Sequence, residues 1–463
     1  MIRITCHNDN IPERTYSINM VFNTLLGIST DDYEIVFTTQ PTSYVIEVNN
    51  KRIMVEDHFF IRFSEPLAYL NKENIPSNIR FFHGLGHEIP MIYGEDKYVQ
   101  DEESITIGLD IFASTFFMMS RWEEYALGRE NSILNLKAGN FCQTNEDELF
   151  CVVNSLTSKA FVHEYEELLR ELFQKYGLHT EQKRHFGVVL THDVDKLSRN
   201  CKNEVFNTLK RLFRQHHYKK GLKWINKNIQ IYLFTRNRYI LFSKYLEISR
   251  QYHLTDYFMF KCCQSGDEEC TYEISDKAAR SILGNLSSTS ARIGFHPSQN
   301  TFNNNHQFEK EFSRLTTEYK GKILIGRNHR LVHNTNSIHQ WEGISVPIIS
   351  NYGYQHYIGF RCGIVCPFPI FDVYKRTQLK VKELPFSLME TSIKRHYKDL
   401  DKSWIHIIEI IDQISKYHGI VCMNWHIRAF SKKEFNTFIH LYSKIINYII
   451  FVKKGLDIEL ELL

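Results

Sequence analysis

Apolar residues follow two rhythms along this chain, and the change between them divides it. In the N-terminal part, short alternating runs predict strands at Tyr33–Phe37 and Ser43–Val48 with a turn at Thr39–Thr42 between them. Asn49-Asn50 followed by Lys51–Val55 predicts a hairpin. Ile107–Leu127 (IGLDIFASTFFMMSRWEEYAL) is dense enough in apolar residues to predict one long helix buried on most sides and ended by Gly128. Residues 157–176 (TSKAFVHEYEELLRELFQKY) alternate as an amphipathic helix closed by Gly177. His87-Glu88, beside Gly and Pro, reads as a loop contact.

From Phe186 onward, strand-like and helix-like segments take turns. The strands fall at Val188–Thr191, Asp256–Lys261, Arg292–His296, Ile323–Gly326, Gly343–Val346, Val381–Pro385 and Ile420–His426. The helices fall at Ser243–His253, Phe308–Tyr319, Ser403–Tyr417 and Lys432–Ile450. This rhythm predicts an α/β fold with a parallel sheet or barrel. The chain then divides into an α+β domain at 1–150, a linker helix and connector at 151–185, and an α/β domain at 186–463. In such folds the chemistry gathers at the C-terminal ends of the strands. Asp193 and Asp195, His296, Arg327 with His329, and His426 all fall there.

The stretch FGVVLTHDVD, Phe186–Asp195, organises this second part. Gly187–Leu190 reads as a strand buried on both faces. If the extended geometry continues, Asp193 and Asp195 share one side and His192 takes the other. Two adjacent carboxylates repel unless a cation or proton lies between them. The plainer role for Asp195 is to cap the next helix, and for His192 to fill the core. Taken singly, Arg327 pairs with a surface acid, His296 sits in a turn before Pro297, and Trp425 is core. Taken together in strand-end register they form a metal-assisted hydrolase site. Asp195 and His296 are ordinary ligands for a divalent transition metal. Asp193 is placed as a general base towards bound water, His426 as a general acid, and Arg327 as the group that holds a carboxylate ionised.

Composition narrows the setting. At 463 residues, with 33 Phe and 25 Tyr, the chain can bury two cores. Ten cysteines lack the paired spacing of a structural zinc site, so they read as buried free thiols. The N-terminus lacks the apolar core of a signal peptide, and no apolar run is long enough to span a bilayer. The expected location is the cytoplasm. Arg199–Lys227 carries nine Lys or Arg against one acid, Glu204, and reads as a basic helical insertion near 199–235 with a solvated face. Binding of a polyanion or an acidic membrane surface is its alternative role.

THDVD, IGFHPS, GRNHR and MNWH, in that order, resemble the motifs of polysaccharide deacetylases of the NodB-homology type, in a branch whose first motif is DVD. GYQHYIGFRCG with CPFPIFD, at Gly353–Asp372, is similar to that branch, as is LDIFASTFFMMSRWEEY to the uncharacterised domain preceding its catalytic domain. The resemblance implies a distorted (β/α) barrel that removes an acetyl group from an N-acetylated sugar. It implies a divalent metal, zinc first with cobalt or nickel as alternatives. It also implies Asp193 as base, Asp195 and His296 as metal ligands, Arg327 orienting the base and His426 protonating the amine. The family's second motif has two histidines four residues apart. Here the second position is Asn300, a poorer zinc ligand through its carbonyl oxygen. His306 and His329 are the substitutes in view. His329 and Trp425 are otherwise expected at the substrate, Trp425 by stacking on a sugar face. The expected partner is an N-acetylated carbohydrate of surface-polysaccharide assembly, with no nucleic acid. A homodimer is compatible with the N-terminal domain. The competing reading is a weakened barrel that binds carbohydrate or acts as a scaffold without catalysis.

Overall fold

Local chemistry sets the first turn of the fold. Asn49 and Asn50 both take left-handed backbone angles, φ 48° and 62°, as a two-residue hairpin turn requires. They join strand β3 (Ser43–Val48) to β4 (Lys51–Glu56) in antiparallel register, Val48 opposite Lys51. The computed structural model describes residues 1–40, 42–127, 146–197, 239–264, 267, 270–397, 400–427 and 432–463. Pro41 in the expected Thr39–Thr42 turn, Gly128 and the basic run Arg199–Lys227 lie outside the described residues.

The chain forms two units, each built from three separated stretches. The first gathers Met1–His185, Tyr352–Ser387 and Ile408–Gly419; the second gathers Phe186–Asn351, Leu388–Ile407 and Ile420–Leu463.

In the first unit, β1 (Ile2–His7), β2 (Tyr33–Thr38), β7 (Gly94–Gln100) and β8 (Ser104–Leu109) join β3 and β4 in a six-stranded sheet ordered β2-β1-β3-β4-β8-β7. Ile2, Ile4 and Cys6 alternate inward on β1, as do Tyr44, Ile46 and Val48 on β3. β5 (Arg80–Phe82) and β6 (Ile89–Met91) pair antiparallel. The single helix expected over Ile107–Leu127 is corrected to three pieces. Ile107–Leu109 completes β8, and Asp110 caps the helix Ile111–Ser120 by accepting from the Ala113 amide at 3.0 Å. Arg121, at φ 56°, then breaks the run before Trp122–Ala126. All ten residues of Ile111–Ser120 are buried, with Phe112 against Tyr44 at 4.3 Å. The helix Val162–Lys175 ends in a Schellman motif: Gly177 is left-handed, Leu178 N–H donates to Phe173 and Gly177 N–H to Gln174. β14 (Phe368–Asp372) and β15 (Thr377–Glu383) form an antiparallel pair in this unit, and the strand expected at Val381–Pro385 is the end of β15.

In the second unit the core is a parallel sheet. β9 (Gly187–Val194), all eight residues buried, pairs with β10 (Asp256–Phe260) and β17 (Ile420–Asn424). Beyond β10 follow β11 (Arg292–Phe295), β12 (Ile325–Gly326) and β13 (Ile348–Ile349); beyond β17 follows β16 (Leu388–Met389). β18 (Leu456–Asp457) pairs with the start of β9. All these pairings are parallel. No pair closes β16 onto the other end of this sheet among the described residues, so the expected barrel is present as a curled half-barrel sheet. Gly343–Val346, expected as a strand, instead ends the helix Thr335–Gly343, and the strand starts at Ile348. At Gly326 the indole of Trp341 occupies the space of a side chain, 2.2 Å from where a Cβ would stand. Among the described residues no helix is long and apolar enough to cross a membrane.

Candidate active site

The parallel register brings the C-terminal strand ends of the second unit to one edge. Trp425 N–H donates to Thr191, His296 N–H to Phe260, Arg327 N–H to Phe295 and Ser350 N–H to Gly326, each carrying the ladder one step past its strand. Asp193, Asp195, His296, Arg327, His329 and His426 therefore emerge side by side. His192 points to the opposite face of β9, where it is buried between the Trp425 carbonyl and the Asp256 carboxylate, 2.9 Å from each.

Asp195, His296 and His329 each offer a ligand atom, all within 4.8 Å of one another. Nε2 of His296 lies 3.6 Å and Nε2 of His329 3.7 Å from Asp195 Oδ1. Two ligands on one zinc ion, with bonds near 2.0–2.1 Å at a tetrahedral angle, stand about 3.4 Å apart. His296 Nδ1–H donates to the Arg327 carbonyl at 2.6 Å, which leaves the lone pair on Nε2 facing Asp195. Asp195 Oδ1 and His296 Nε2 are buried with no hydrogen-bond partner from the protein. Orphaned atoms of this kind are costly unless a ligand completes them. These residues fit a divalent cation. Burial opposes the charge on Asp195, yet the neighbouring His296, His426 and His329 hold its pKa well below the ordinary carboxylate range.

Asn300, expected as the third ligand, is corrected: it is exposed on the turn Gln299–Thr301. His306 is exposed as well. His329 stands in the group instead, because its amide donates to the Pro297 carbonyl at 3.2 Å and the chain then turns back through Arg330 and Leu331, both at φ 58°. Left-handed angles at two consecutive non-glycine residues are strained and gather at functional sites. Lys261, buried just past β10, brings Nζ within 3.5 Å of His329 Nδ1. Thr271 Oγ1 donates to the Asp195 carbonyl and the Tyr272 hydroxyl to that of Val194, each at 2.8 Å, which pins the end of β9.

Asp193 is aimed by two donors. Arg327 Nη1 meets Oδ1 at 2.8 Å and Asn424 Nδ2 meets Oδ2 at 2.9 Å. Arg327 is itself fixed by Ser350, through Nε to the carbonyl at 2.6 Å and Nη2 to Oγ at 2.8 Å, and by Thr191 Oγ1 at 3.1 Å. Burial pushes the Asp193 carboxyl up, but the Arg327 guanidinium, then His296 and His426, outweigh it and hold the pKa at about 2. His426 Nε2 lies 3.8 Å from Asp193 Oδ2. Its Nδ1 is 3.0 Å from Glu390, a fully buried carboxylate at the end of β16. Asp195, His329 and His426 keep 19%, 13% and 14% of their side chains open, while Asp193, His296 and Arg327 are buried. The open groups mark the side of the cluster that faces solvent.

Trp425, expected at a sugar face, is corrected to core: it is fully buried and its ring packs on Tyr442 at 5.4 Å. Glu390, Asn424 and Lys261 were not read from the sequence. Asn424 had a signal, since it stands two residues before His426 and alternation puts both on one side.

Residues 2–178 match a family of unknown function, DUF7033. No curated protein matches the chain. Among solved structures, it is similar to an inferred polysaccharide deacetylase involved in O-antigen biosynthesis from Bordetella bronchiseptica, at 11% identity and TM-score 0.28, over 45% of this chain and 77% of that one. It is also similar to an inferred polysaccharide deacetylase from Mycobacterium smegmatis, at 10% identity and TM-score 0.35, over 61% of this chain and 96% of that one.

Proposed function

We propose that this chain is a metal-dependent hydrolase that removes an acetyl group from an N-acetylated sugar. The observation that carries the reading is the triad Asp195, His296 and His329, with two of its ligand atoms orphaned, beside a carboxylate aimed by Arg327 and Asn424 and a histidine backed by Glu390. The nitrogen and oxygen donors suit zinc first. A divalent ion bound by the triad would polarise the amide carbonyl and lower the pKa of an attacking water. Asp193, ionised at neutral pH, accepts the proton of that water, and Arg327 and Asn424 keep its oxygens in place. His426 delivers a proton from Nε2 to the departing amine nitrogen, with Nδ1–H held by Glu390. Amide cleavage needs both proton transfers, and the two groups stand 3.8 Å apart on the same edge.

The non-catalytic reading rested on Asn300 as a weak ligand and on the basic run Arg199–Lys227, which lies outside the described residues. His329 in the triad supports the hydrolase instead. The test is acetate release from N-acetyl sugars together with elemental mass spectrometry. Wild type is expected to hold near-stoichiometric metal and to lose activity with a chelator. Asp193→Asn and His426→Ala are expected to keep the metal and to lose activity by about a hundredfold or more. Absence of metal after adding it back, or undiminished activity in both variants, would overturn the proposal.

A further inference from the structure

One surface of the second unit lies outside this chemistry. The helix Lys432–Asn447 continues into a wider turn, Tyr448–Val452, before β18. Large apolar side chains point outward along this run: Phe451 is 67% exposed, Val452 60% and Leu456 56%. Single exposed apolar residues are commonplace, but three within six positions form a patch. Aromatic rings support it. Phe451 meets Tyr252 edge-on at 5.4 Å, and Tyr448 meets the half-buried Trp404 at 5.8 Å. Cations frame it. Lys444 Nζ stands 4.0 Å from the Trp404 ring centre, Lys453 Nζ 5.7 Å from that of Tyr448, and Lys454 is exposed. No acid occurs between Phe435 and Leu456, and Asp457 is engaged with Thr255 through two hydrogen bonds of 3.1 and 2.9 Å.

We propose that this face docks on the surface of an anionic phospholipid bilayer. Phe451, Val452 and Leu456 enter the boundary of headgroups and acyl chains, Trp404 and Tyr448 sit at headgroup level, and Lys444, Lys453 and Lys454 meet lipid phosphates. Attachment is peripheral, since no helix among the described residues can span the bilayer. A second copy of the chain fits less well, because a two-fold contact would bring the same three lysines towards their own images.

The test is co-sedimentation of the full chain with phosphatidylcholine vesicles and with equimolar phosphatidylcholine and phosphatidylglycerol vesicles. Binding to the anionic vesicles is expected to be about a hundredfold tighter and to weaken with salt. Lys453→Gln with Lys454→Gln removes most of that preference, each lysine contributing roughly fivefold. Phe451→Ser with Val452→Ser weakens binding to both vesicles by about tenfold. Unchanged circular dichroism and metal content in the variants keep folding and the strand-end site out of the comparison. Absence of sedimentation with anionic vesicles, or indifference to both double variants, would overturn the proposal. So would a dimer in light scattering that the Phe451→Ser, Val452→Ser variant abolishes, which would assign the face to a second copy.

Discussion

Each unit buries a cluster of charges, and the two clusters are built on opposite terms. In the first unit Arg121 and Arg361 lie among Glu123, Glu124 and Glu146, all buried. Every carboxylate oxygen there has a donor. Glu124 takes Arg121 at 2.9 Å and Arg361 at 3.0 and 2.9 Å. Glu146 takes Arg361 at 3.2 Å and the amides of Gln355 and His356 at 2.7 and 2.9 Å. Glu123 takes the Phe150 amide and, at 3.3 Å, Arg121. In the second unit Asp195 Oδ1 and His296 Nε2 are left without a protein donor or acceptor. A completed network holds structure; a buried network with gaps on one side is built to receive something. The run GYQHYIGFRCG belongs to the completed kind, because Arg361 and the Gln355 and His356 amides tie it to Glu124 and Glu146 of the same unit.

The sharpest break in this contrast is expected from Arg361→Leu. It removes the cation shared by Glu124 and Glu146, takes the Arg361 donor from Glu124 Oε2 and lowers stability by about 3–5 kcal/mol in urea unfolding, while the folded fraction keeps its metal. Added zinc does the reverse for the second unit. At a hundredfold excess over its Kd it stabilises the wild type by about 2.7 kcal/mol and raises its Tm, and His329→Ala loses that response without a comparable loss of apo stability. Acid titration probes a further buried carboxylate of the first unit, Glu166. Burial raises the Glu166 pKa, but the hydrogen bond from His163 and the charges of Arg184 and Arg170 bring it down to about 2. His163 accepts the Val365 amide on Nε2, so it is neutral and donates from Nδ1. A depressed carboxylate contributes stability above its unfolded pKa near 4.3 and loses it as pH falls towards 2. Roughly 2–3 kcal/mol should disappear over that window in wild type, and Glu166→Gln should flatten the curve. The smallest effect is expected from Asn300→Ala, within about 0.5 kcal/mol in stability and with metal retained, since the residue is exposed. Loss of metal in this variant would restore Asn300 to the site.

Strand ends were legible because a parallel strand buried on both faces leaves an apolar run, and its first polar residues mark where it emerges; GVVL before THDVD is such a run. The extent of the sheet was not legible, since β13 and β16 are two residues each and leave no periodic signal. The same shortness hid Glu390, which reaches His426 from 36 positions away. His329 reaches the triad through left-handed angles at Arg330 and Leu331, which their residue types do not announce. Trp425 is buried although it stands between two residues of the site edge, because adjacent positions take opposite sides of a strand. The helix Ile111–Ser120 was legible in its density but not in its start, as only the Asp110 cap separates it from β8.

The chain passes between its two units at five places: after His185, Asn351, Ser387, Ile407 and Gly419. Neither unit is therefore a single cassette in the gene. A truncation after Asn351, Ser387 or Ile407 removes part of both, whereas the triad itself lies within the single stretch Phe186–Asn351.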